Sequence, residues 1–133
     1  MPADSADPVV ADLHAHTDVS DGTMTIDEVP AAARDAGVDW VAVTDHDRVH
    51  PGLDAPVVEH GGVRIVRGIE LRVDAGFERL DLLGYAAEHT DALDAEIDRL
   101  QRDRRERGAA ILDAVEERLD VHLGVDPRAG PVR

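Results

Sequence analysis

His14 and His16 are separated by one residue and follow the apolar run at 9–13. Residues two apart in an extended strand point to the same side. The pair therefore has a metal-chelating geometry, with Asp12 on that side as an acceptor able to orient an imidazole. The plain alternative is two surface histidines after a strand. Asp45 and His46 stand directly after a second apolar run, WVAVT at 40–44, where parallel α/β folds carry functional groups; an Asx turn is the alternative there. Glu70 follows Gly68-Ile69 in a third run, and each oxygen of a carboxylate can ligate a cation. Asp21 lies in the glycine-containing loop after the first run, and Asp81 in a fourth. Each acid also reads as one of 29 on a solvated surface. The collective pattern says more. Three successive strand candidates end in histidine or carboxylate, and the chain has no cysteine to compete. In a barrel-like sheet such ends converge on one mouth. Imidazole and carboxylate ligands suit Mn2+, Fe2+ or Zn2+, with hard oxygens favouring the first two. Two or more such ions about 3.5–4 Å apart clamp a phosphate and generate hydroxide from water at neutral pH.

The other histidines read differently: His50 is a candidate lining residue, and His60, His89 and His122 are surface positions. Residues 98–107 hold five arginines against three acids. Asp98–Arg102 and Asp103–Arg107 have the spacing of helix-surface ion pairs. The functional alternative is an arm that grips substrate phosphates, with Arg104 as its leading residue.

The elements that must position these groups are legible as alternation. Strands are expected at 9–13, 40–44, 63–71 and 80–83. A helix is expected at 25–36, with Thr25 and Glu28 at capping-box spacing and Gly37 as its C-terminal cap. Pro30 moves its start toward residue 30. A short helix is expected at 52–60, closed by Gly61-Gly62. Alternation of this kind implies βα units and a parallel sheet. Residues 91–119 carry a three-four apolar spacing, interrupted at Arg104 and Gly108, and read as one helix or two.

At 133 residues, 43% of them hydrophobic and 32% charged, the chain has the composition of one soluble domain. A formal net charge of −15 argues against duplex DNA or an anionic membrane as partner. Without cysteine there is no disulfide frame. No signal peptide or membrane-spanning run is recognisable, so a cytoplasmic location is expected. All basic residues are arginine and aspartate outnumbers glutamate; adaptation to high salt (a halophilic surface) and GC-rich codon usage both produce that pattern.

DLHAHTDVSDG at 12–22, VAVTDHD at 41–47, GIEL at 68–71 and LDLLGY at 80–85 resemble the successive motifs of the PHP (polymerase and histidinol phosphatase) family. The closest likeness within it is to the stand-alone metal-dependent phosphoesterases that act on nucleotides or short oligonucleotides. The resemblance implies an α/β fold, the N-terminal part (about four βα units) of a distorted (β/α)7 TIM-like barrel. Residues 1–8 would be a disordered tail, 91–120 a helical insertion and 124–133 a loose tail. It implies two or three divalent ions. His14 and His16 would hold one, Glu70 would bridge it to a second, and Asp21 and His46 would hold a third. Asp45 would be a neighbour of a ligand or a group behind the ligands, and metal-activated hydroxide would attack phosphorus, giving Asp45, His46 and Glu70 catalytic roles. The family usually has histidine where Asp81 stands; aspartate can still ligate, but is shorter and anionic. A further histidine and a late Asp-x-His pair, which the family places downstream, have no counterpart in 124–133. A half barrel leaves an unpaired sheet edge and an apolar inner face, so self-association or a C-terminal half chain is expected. Two alternatives stand beside the phosphoesterase. One is a catalytically incomplete remnant. The other is an amidohydrolase-type metal hydrolase, in which Glu70 would replace the usual bridging lysine.

Overall fold

A computed structural model describes residues 8–127. The expected tail at 1–8 and the end of the expected tail at 124–133 lie largely outside them. Residues up to Glu88 form one compact unit and those from His89 a second.

The first unit is a mixed α/β sheet. Its elements are β1 (Ala11–Ala15), α1 (Val29–Asp35), β2 (Trp40–Val43), β3 (Val57–His60), β4 (Val63–Asp74) and β5 (Arg79–Tyr85). The strand order is β1-β2-β4-β3, with β5 also paired to β4. β1, β2 and β4 run parallel, while β3 and β5 are antiparallel to β4. The expectation of about four βα units is therefore corrected. One βα crossover, through α1, is followed by two antiparallel hairpins.

The residues at 52–60 account for part of this difference. They form no helix; residues 57–60 are β3. Gly61 and Gly62 take φ of 59° and 81°, the left-handed pair that a two-residue hairpin turn requires. VVEH is thereby folded back onto VRIV, with His60 opposite Val63.

α1 starts at Val29, with proline in its first turn where the missing donor costs nothing. Thr25 and Glu28 do interact: the Glu28 carboxylate accepts from the Thr25 N–H at 2.8 Å and its hydroxyl at 3.0 Å. They close the turn before the helix rather than cap it. Gly37, at φ 71°, ends α1 with paired bonds from Gly37 N to Arg34 O and Val38 N to Ala33 O. That pairing satisfies carbonyls the helix leaves open.

Val29 and Ala33, one helical turn apart, pack with Val41, Val43, Leu53, Val63 and Ile65 into the core. Each such valine or isoleucine contributes roughly 1.5–3 kcal/mol through burial. β1 is almost wholly exposed. It stands at the sheet edge, and among the described residues no strand pairs its outer side. Leu13, Leu80, Leu82 and Tyr85 are also exposed.

The second unit contains α2 (Asp91–Leu119), which is continuous through Arg104 and Gly108. Thr90 caps it by accepting from Leu93 N at 3.2 Å. Its surface ion pairs run from Arg99 to Glu96 and Asp103, not from 98 to 102 and 103 to 107. No helix of the described residues is long and apolar enough to cross a membrane.

Candidate metal centre

The groups singled out above come from four segments that the sheet sets side by side. His14 lies in β1, His16 just past it, Asp21 in the following loop, His46 after β2 and Glu70 in β4. Backbone bonds set the distances between segments. Thr44 N donates to Ala15 O at 2.8 Å, fixing β1 beside the end of β2. Glu70 N donates to Asp45 O at 3.1 Å and Asp47 N to Glu70 O at 2.9 Å, so His46 and Glu70 form a parallel bridge. The β1–β2 register is irregular between Asp12 and Ala15. His14 and His16 thus converge, with ring centroids 5.0 Å apart, through an irregular strand and a loop start rather than simple two-residue alternation.

One oxygen organises the cluster. Glu70 Oε2 lies 3.1 Å from His14 Nε2, 2.9 Å from His16 Nε2 and 3.2 Å from His46 Nδ1. The Glu70 side chain is 4% exposed, so these rings take the place of bulk solvent around its carboxylate. Asp21 closes the other side, at 2.7 Å from His16 Nδ1 and 3.3 Å from His46 Nε2. Burial pushes the Asp21 carboxyl up, but the His16 hydrogen bond and the charges of His46 and His16 outweigh it and hold it below its ordinary value.

His16 and His46 therefore each present both ring nitrogens to carboxylate oxygens. A neutral imidazole has one N–H and one lone pair. Each ring would thus turn a lone pair toward an anionic oxygen unless it carried a second proton or a cation lay between. Among the described residues, two groups have the compactness to hold an ion: His14, His16 and Glu70, and His16, Asp21 and His46. The donor chemistry fits divalent cations. His16 is common to both groups.

Asp45 is placed differently from its neighbours. It is fully buried, and its carboxylate accepts from Thr17 N and Thr17 Oγ1 at 2.8 Å each and from Ser20 Oγ at 2.6 Å. It ties the Asp21 loop to the end of β2 and belongs to neither group. Thr17 and Ser20 are functional positions that the sequence reading passed over. Their signal is a pair of hydroxyls spaced between the histidines and Asp21. Gly22 completes the loop: a Cβ there would lie 2.2 Å from His16 O, so any side chain would displace the backbone that carries His16.

Asp12, expected to orient an imidazole, instead accepts from the backbone N of His14 at 3.1 Å. Asp81 belongs to neither group; both its oxygens are bonded to Arg72, at 2.8 and 3.1 Å. Arg104 lies half-buried in α2, in the second unit. His60, His89 and His122 are exposed.

His50 is buried and accepts from Gly52 N at 3.0 Å through Nδ1. Burial lowers its pKa, against the opposing charges of Asp45 and Asp18. The folded protein thus resists protonating His50, whereas the unfolded chain protonates it near pH 6.5. Stability is expected to fall as pH drops through that value, with the loss complete below the depressed folded pKa. Thermal melts from pH 7.5 to 5 check this. His50→Asn, which keeps an acceptor without titrating, should flatten that part of the profile.

Imidazoles and carboxylates at the carboxyl ends of parallel strands define an α/β domain with a candidate metal centre. The chain belongs to the PHP domain family, whose pattern it matches over residues 12–120. It is similar to phosphoribosyl 1,2-cyclic phosphate 1,2-diphosphodiesterase of Eggerthella lenta, at 38% identity over 85 residues, covering 60% of this chain and 32% of that protein. It is similar also to the 5′-3′ exoribonuclease Rnm of Escherichia coli, at 27% identity over 115 residues, covering 84% of this chain and 38% of that protein. The chain thus spans about a third of the length of these relatives.

Proposed function

We propose that the chain supplies the ligand-bearing strands of a metal-dependent phosphoesterase. Its substrates would be phosphate monoesters or diesters of nucleotides or short oligonucleotides. The observation that carries the reading is the presentation of both ring nitrogens of His16 and of His46 to Glu70 and Asp21. The names of the two relatives support the substrate class, since both denote cleavage of phosphodiester linkages.

His14, His16, Asp21, His46 and Glu70 would hold two or three divalent ions, Mn2+, Fe2+ or Zn2+. Such ions offset charge on phosphoryl oxygens and lower the pKa of an attacking water. The chain's own contribution is preorganisation. Glu70, buried and braced on both backbone sides by residues 45 and 47, keeps one oxygen at the convergence of three rings. Asp45 holds the loop that brings Asp21 to the far side of His16 and His46. Ligands fixed in this way need no reorganisation when charge develops on the substrate.

The test is metal stoichiometry of the full chain, purified with Mn2+ at high salt, gel-filtered and analysed by mass spectrometry. Two or more ions per chain and Mn2+-dependent hydrolysis of a dinucleotide support the reading. Metal uptake without hydrolysis points to the incomplete-remnant alternative, and no bound metal overturns the metal centre.

A further inference from the structure

Glu70 and Arg72 are two residues apart in β4 and so share one face of the sheet. Arg72 is directly opposite Asp81 in the β4–β5 register, as Glu70 is opposite Leu83. Arg72 therefore stands on the ligand-bearing face, its backbone about 6.6 Å along β4 from that of Glu70 at strand rise, with Asp81 on the same face across the β4–β5 pair. Arg72 Nε donates to Asp81 Oδ1 at 2.8 Å and Nη2 to Asp81 Oδ2 at 3.1 Å. This fork uses one edge of the guanidinium. The other edge, with the Nη1 hydrogens and the second Nη2 hydrogen, has the spacing that matches two oxygens of a phosphate. Both side chains are about half exposed, so a ligand at the cluster can reach that edge. Electrostatics agree with the placement. The hydrogen bond and charge of Asp81 raise the Arg72 pKa, with Glu70 and Asp47 adding to the effect. His46 and His14 lie near enough to act on the Asp81 carboxyl.

The geometry points to Arg72, aimed by Asp81, as a phosphate-contacting residue of this site. The inference rests on the phosphoesterase reading and names the group that meets the substrate's phosphoryl oxygens. Asp81 is then a positioning residue whose carboxylate orients a fixed cation. The arrangement also suits a chain of net charge −15, in which an incoming phosphate meets carboxylates on many sides. A guanidinium already held in one orientation loses less freedom on gripping it than a free side chain would.

The experiment is calorimetric titration of the Mn2+-loaded full chain with inorganic phosphate, with metal counted on the same samples. Arg72→Gln is expected to weaken phosphate binding about tenfold or more, as for the loss of a charge-assisted bidentate contact, at unchanged Mn2+ per chain. Arg72→Lys should recover part of the loss, because a point charge replaces the fork. Asp81→Asn should weaken binding less than Arg72→Gln, since the cation stays and only its aim loosens. Wild-type phosphate affinity in Arg72→Gln overturns the proposal, as does a parallel fall in its metal count, which would make the pair a support for metal. If the wild-type chain takes up no Mn2+, the phosphoesterase reading fails separately. Phosphate titration of the metal-free chain then decides: Arg72-dependent binding sustains the proposal, and absence of binding overturns it.

Discussion

Glu70→Gln is expected to weaken Mn2+ binding by more than about 100-fold, beyond what loss of a residue behind the ligands typically costs. The side chain keeps its volume, so β4 and its backbone bridge to His46 should survive. What disappears is the single anionic oxygen that faces His14, His16 and His46 at 2.9–3.2 Å. An amide in that place is neutral, and its nitrogen end donates where the ligand set needs an acceptor. Calorimetric Mn2+ titration checks the loss, and circular dichroism checks that the fold persists. His60→Ala is the control, because His60 is exposed in β3 and outside both metal groups. Normal Mn2+ affinity in Glu70→Gln would remove Glu70 from the centre.

Asp45→Ala is expected to be the most destabilising single change near the site. Thr17, Ser20 and Asp45 are all buried, and the truncation leaves one amide and two hydroxyls without their acceptor. A buried donor left without its acceptor costs roughly 1–3 kcal/mol, and this change affects three of them. Asp45→Asn should cost less, because its amide oxygen can still accept and Thr17 Oγ1 can rotate to accept from its nitrogen. Urea unfolding midpoints order the two variants. A metal-dependent enzyme losing a ligand would show a different result: unchanged stability of the metal-free chain with weakened Mn2+ affinity. That outcome would place Asp45 among the metal ligands.

The residues that cluster in the fold are legible in the sequence because they occur at or near the ends of apolar runs. Strand ends can be read from hydrophobicity, and imidazole and carboxylate together are donors that divalent transition-metal ions use. Hence His14, His16, Asp21, His46 and Glu70 stood out before any fold was known, and the motifs around them announced the family. The architecture between them was less legible. Gly61-Gly62 ended an expected helix just as well as it turns a hairpin, and the four-residue strand before it is too short to show its period. The parallel alternation thus concealed two antiparallel hairpins.

What the sequence determined by itself was the chemistry on offer: the ligand types, their order, the anionic surface and the helix and strand ends marked by proline and glycine. Which partner each acid takes is set by the packing of distant segments. Asp45, Asp81 and Asp12 are alike in sequence as acids within or next to apolar runs. In the fold, Asp45 is buried under two hydroxyls, Asp81 is paired across a hairpin with Arg72, and Asp12 accepts from the backbone N–H of His14. The physical reason is that a carboxylate's role depends on what donates to it. Those donors come from segments up to 28 residues away, brought into reach only by strand register and hairpin closure.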